Sequence, residues 1–90
     1  MTVYMFASVK NGLMYTSSNK GYGEMNLDEA REDLKTFARK SKLKSELDAI
    51  AYSDDFYFSA FDNVISLDEY KALLGEFAYH GCKLVGKPTI

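Results

Sequence analysis

Few residues in this chain could do chemistry, and their spacing decides what kind. His80 is the one imidazole and Cys82 the one thiol among ninety residues. They flank Gly81 at a helix-to-strand junction, where two side chains two positions apart do not converge on a point. Nucleophilic catalysis needs a nucleophile, a base and an orienting group within hydrogen-bond reach. His80 reads instead as a helix-end cation that suits the helix dipole, and Cys82 as a small apolar strand residue. One Cys and one His are too few for a zinc site. Asp48, Asp54, Asp55 and Asp62 could attract a hard cation, but no loop has calcium-hand spacing or its glycine. Adjacent aspartates at 54 and 55 are ordinary turn residues. Gly21-Tyr22-Gly23 resembles half of a phosphate-cradling loop without its third glycine or its lysine, and reads as a connector. The expectation is therefore a chain with no cofactor, no metal and no catalytic activity.

Charge carries more information than its sum of −2. From Arg31 to Lys44 there are six basic residues against two acids, and from Ser45 to Tyr70 seven acids and no Lys or Arg. Such a molecule is electrically lopsided, a property that steers association. Arg39, Lys40, Lys42 and Lys44 form the candidate phosphate-binding set, able to contact a nucleic-acid backbone beside exposed tyrosines. Their structural explanation is a solvated helix end whose cations offset the exposed carbonyls. The same asymmetry suits a protein partner, or a second copy placed head to tail.

The elements that position these residues are organised around a stretch that occurs twice. At an offset of forty, Leu27, Asp28, Glu29, Leu34, Phe37 and Ala38 match Leu67, Asp68, Glu69, Leu74, Phe77 and Ala78. Each copy opens with a capping residue, Asn26 or Ser66, followed three positions later by Glu. This predicts two amphipathic helices, one from Leu27 to about Lys40 and one from Ser66 to a stop at Gly81. Thr2 to Val9 and Leu13 to Ser17 read as strands joined by a two-residue Asn11-Gly12 turn of type I′, with Val9 facing Met14 and Ser8 facing Tyr15. Residues 47–61 read as a second hairpin turning at Asp54-Asp55, favoured by the β-prone Phe56-Tyr57-Phe58 and by the repeat, although residues 45–52 could also start a helix. A short last strand covers Cys82 to Val85.

The resulting expectation is an α+β fold of order ββα–ββα–β: one domain over residues 1–90, built from two ββα pseudo-repeats (about 2–41 and 47–81) and a C-terminal strand. Its mixed sheet would carry both helices on one face. An antiparallel hairpin with one wet face alternates apolar and polar residues. Here Phe6 and Tyr15 oppose Met5, Val9 and Met14, while Ala49, Ala51, Phe56, Phe58 and Ala60 oppose Ile50, Tyr52 and Tyr57, so neither face is polar. The face away from the helices should then meet a partner, a second copy or a fold-back of the chain itself.

These observations favour a small non-catalytic interaction protein that docks on a larger protein as inhibitor, adaptor or subunit. Its contact residues would be Tyr52, Tyr57, Asp54, Asp55 and Met14. A compact chain of this kind also suits an accessory protein of a phage or mobile element. The alternative is a nucleic-acid binder acting through the 39–44 patch, and a homodimer is compatible with either. A lone cysteine fits a reducing compartment. The N-terminal stretch lacks a signal-peptide pattern and no apolar run reaches spanning length, so a cytoplasmic location without membrane contact is expected.

Overall fold

The computed structural model describes residues 1–18, 25–77 and 80–86. Its elements are β1 (Val3–Ser8), β2 (Leu13–Ser18), α1 (Leu27–Ala38), α2 (Lys44–Ala51), β3 (Tyr57–Phe61), α3 (Leu67–Phe77) and β4 (Lys83–Gly86). The four strands form one mixed sheet in the order β3-β1-β2-β4, so the fold is α+β. β1 pairs antiparallel with β2 and with β3, and β2 pairs parallel with β4. The proposed Gly21-Tyr22-Gly23 connector lies outside the described residues.

β1 is apolar at five successive positions because it is buried on both faces of the sheet. Tyr4 and Phe6, with Tyr15 of β2, pack under α1 and α2 against Ala30, Leu34, Ala38, Leu47 and Ile50. Val3, Met5, Ala7 and Met14 lie on the opposite face. There Val3 meets Val64, Tyr70 and Leu73, and Met5 and Met14 lie in the cluster that Leu74 and Leu84 complete. Beneath α3 the Thr16 and Tyr70 hydroxyls are 2.6 Å apart, so neither buried oxygen lacks a partner.

The helices therefore occupy both faces, not one as the sequence order suggests. The reason is the strand order. The β2-to-β3 connection passes over β1 towards one edge, and the β3-to-β4 connection returns to the other. Right-handed crossovers dominate between parallel strands, and two of the same hand travelling in opposite directions place their helices on opposite faces. The second apolar face is thus covered by the chain's own α3.

The second hairpin expected over residues 47–61 does not form. Lys44 to Ala51 is a helix that buries Leu47, Ile50 and Ala51 at helical spacing, and only Tyr57–Phe61 is a strand. The element order is ββααβαβ, and the second half is not a ββα unit. An i,i+4 ion pair, Lys44 with Asp48, supports α2 on its outer side. Arg31 of α1 donates to the Ala51 and Ser53 carbonyls at 3.2 and 2.7 Å, closing the helix end that has no cation of its own.

The first hairpin forms with a different turn. Ser8 pairs with Leu13 and Ala7 with Met14, which leaves a four-residue loop, Val9 to Gly12. Gly12 N–H donates to the Val9 carbonyl at 3.0 Å with φ +63°, while Asn11 keeps negative φ. A type I′ turn needs positive φ at both central residues, so the Asn-Gly pair is not used that way. The register differs from the expected one by two positions, which preserves the face of every side chain. Local capping follows the expected chemistry: Asn26 accepts from Glu29 N–H at 2.8 Å, and Ser66 from Glu69 N–H at 3.1 Å. Gly81 has φ +86°, consistent with a left-handed stop before β4.

Candidate functional site

Three connections meet at the end of the sheet where β1 finishes: the Val9–Gly12 loop, the α2-to-β3 turn and the turn entering β4. Polar side chains from the first two form one network. The Ser8 hydroxyl, fully buried, lies 2.7 Å from Asp55 Oδ1 and 3.0 Å from the Ser53 hydroxyl. Ser53 also donates to Asp55, and Lys10 N–H donates to its second oxygen at 2.9 Å. Asn11 donates from its amide nitrogen to Ser8 at 3.0 Å and to the Ala49 carbonyl at 3.0 Å. Outside this knot, Lys10 Nζ holds Asp54 with 2.7 and 2.8 Å contacts.

The Ser53 hydroxyl, the Lys10 amide and the Ser8 hydroxyl all donate to Asp55, and together they hold its carboxyl well below the usual carboxylate range. Asp54 is lowered, and Lys10 raised, by their mutual hydrogen bond and charge attraction. A depressed folded pKa means the folded state favours the ionised form. Asp55 thus contributes stability that is fully present above the unfolded carboxyl pKa of about 3.9 and is lost as pH falls through the lower folded value. Thermal melts from pH 7 downward should show the wild type losing stability below about pH 4 more steeply than Asp55→Asn. Parallel slopes in the two proteins would remove this role.

The knot brings together two buried serines and a carboxylate. No described imidazole hydrogen-bonds to Ser8 or Ser53, and both serines are buried. Burial, with Asp55 nearby, pushes the Cys82 thiol up, which lowers its thiolate fraction. His80 is exposed. Among the described residues no three His, Cys, Asp or Glu side chains are placed to hold a metal ion. What the arrangement does is fasten the β1–β2 loop to the start of β3.

The sequence-derived contact residues separate into three groups. Tyr52 stands at the end of α2, 64% exposed, with Lys35 Nζ 4.6 Å from its ring centroid, and Asp54 is exposed two residues on. Asp55 faces inward to the two serines. Met14 is buried beneath the α3 layer and Tyr57 is half-buried in the same cluster, so Met14 offers no surface to a partner and Tyr57 offers only part of one. Ile65 and Leu67, beyond the other end of β3, are 83% and 48% exposed, and their apolar character beside a polar cap was the signal that could have marked them.

Arg39, Lys40 and Lys42 are exposed on the α1–α2 connector, and no ion pair engages them among the described residues. Lys44 is engaged by Asp48. The connector lies near β4, because a Cβ on Gly86 would come 3.3 Å from a Leu43 methyl and 2.6 Å from the Tyr15 ring. The acidic residues 54, 55 and 62 flank β3, at the opposite edge of the sheet.

Set against protein-family models, curated proteins and solved structures, the chain matches none. No described helix is long and apolar enough to cross a membrane.

Proposed function

We propose that this chain is a non-catalytic, cytoplasmic interaction module that docks on a larger protein as an inhibitor, adaptor or subunit. The observation that carries the reading is the acidic margin of the molecule around β3. Tyr52 and Asp54 stand at its entry, and Asp62, Ile65 and Leu67 at its exit, all exposed. Aromatic groups dominate binding hot spots, and Tyr52 is already oriented by the Lys35 ammonium over its ring. The doubly apolar sheet no longer supports docking, since α3 covers its second face.

A second reading has its own observation. The exposed Arg39, Lys40 and Lys42 carry no ion pair among the described residues, as a phosphate-binding patch requires. One experiment separates the two. Tagged protein is used to capture partners from host lysate with and without nuclease, and the captured species is titrated against variants. The docking reading expects a nuclease-resistant protein whose affinity falls about 30-fold or more, a hot-spot loss of ~2 kcal/mol, in Tyr52→Ser/Asp54→Ser. Unchanged affinity in that variant would contradict the placement. Capture that collapses with nuclease and weakens in Lys40→Ala/Lys42→Ala would transfer the function to the basic connector.

A further inference from the structure

We infer that the outer edge of β3 accepts an extended strand with Lys or Arg at both ends from another protein, and that its aspartates exclude a second copy of this chain. The inference rests on the docking reading above and names the chemistry of the partner.

The sheet ends at β3, and among the described residues no strand lies beyond it. An exposed edge is a template for another chain, and proteins usually blunt it with lysine, proline or a bulge within the strand. Tyr57-Phe58-Ser59-Ala60-Phe61 has no charge and no proline, and its pairing with β1 runs in unbroken register. Ala60 is exposed and small, which leaves the backbone accessible on the α1 side. The edge is therefore suited to strand addition, in which main-chain hydrogen bonds supply affinity.

Charge then selects the occupant. Asp62 stands exposed just after the strand, contacted by the Thr2 hydroxyl at 2.9 Å. Just before the strand Asp54 is exposed with Lys10 Nζ 2.7 Å away, while Asp55 turns inward to the serines. If two copies paired antiparallel about Ser59, Asp62 of each would fall opposite Phe56 and diagonal to Asp54 of the other. Like charges that close across a strand pair are unfavourable, and the two-fold symmetry imposes the conflict at both ends. A strand from another protein with basic ends meets the same aspartates favourably, and its specificity comes from what they repel as much as from what they attract.

The test needs no natural partner. Asp62→Lys converts both conflicts of the self-pair into attractions, as does Asp54→Lys, whereas the double variant restores repulsion. Sedimentation velocity at low salt should show wild type and double variant as monomers at every concentration. Each single variant should form a dimer that dissociates as salt rises. In parallel, wild type is titrated with a labelled synthetic peptide of alternating valine and threonine carrying paired lysines at each end. It should bind at least ~10-fold more tightly than the same peptide with aspartate ends. Of two lysine-ended peptides N-methylated at alternate sets of residues, one should lose binding and the other keep it, the signature of a strand bonded along one edge.

Wild-type dimers that Ala60→Lys dissolves would overturn the exclusion. Equal binding of both peptides would overturn the charge selection while leaving a docking edge in place. Monomeric single variants, folded by circular dichroism, together with failure of every peptide would overturn the inference itself. The Tyr52 titration would still judge the broader reading.

Discussion

Replacing Phe6 with alanine is expected to remove most of the protein's folding stability. Phe6 is 1% exposed at the centre of β1, and its ring lies 5.1 Å from that of Phe58, 6.0 Å from Tyr15 and 6.3 Å from Phe56. It is therefore the point where three strand-side aromatics meet the helices above them. Truncating a buried Phe costs about 3–5 kcal/mol, since both the transfer energy of the ring and the cavity left behind oppose folding. Domains of this size have roughly 5–15 kcal/mol in total, and a small one sits towards the lower end. Urea titration followed by circular dichroism would measure the loss, and a cost under ~1.5 kcal/mol would mean that Phe6 is not the keystone described.

Leu47→Ala is the second large effect, about 2–5 kcal/mol. Leu47 is fully buried on the inner side of α2, alanine keeps the helix propensity, and so the measured cost isolates packing. The informative comparison runs along the element. Ile50→Ala should be similarly costly, whereas Lys44→Ala, on the outer side, should stay within about 0.5 kcal/mol. Sensitivity at 47, 50 and 51 has the helical period. Sensitivity at 47, 49 and 51 would instead mark a strand and contradict α2.

These two residues also show how far the sequence could be read. Phe6 and Tyr15 on one side and Met5 and Met14 on the other were legible, because alternation in a short hairpin is a local property. So were the Asn26 and Ser66 caps, each satisfied by groups three residues away. Residues 44–51 were not, because Glu46-Leu47-Asp48-Ala49-Ile50-Ala51 serves either period and only packing against Leu34, Ala38 and β1 decides. The position of α3 depends on which edge β3 joins, a non-local outcome that no window of sequence contains.

For the site, Asp54 was legible as a turn residue and is exposed, whereas Tyr52, read as a strand residue on an outer sheet face, is exposed for a different reason, at the end of α2. The sequence misplaced Met14, since an apolar residue facing away from one helix looks the same whether another helix or solvent lies there. It also missed the Ser8–Ser53–Asp55 knot, whose members are 45 and 47 residues apart from Ser8 in the chain. Ser53 and Asp55, two apart in a turn, were the local half of that signal.

The central claim is that β3, the end strand of the sheet among the described residues, offers its outer edge to the proposed partner, and amide hydrogen exchange resolved by NMR on dilute wild-type protein tests it most directly. In an antiparallel edge strand only alternate residues bond inward to the neighbouring strand. The account predicts that every second β3 amide exchanges fast while the intervening ones, and those of β1, approach the protection of global unfolding. Uniform protection along Tyr57–Phe61, equal to that of β1, would show the edge already occupied and contradict the account.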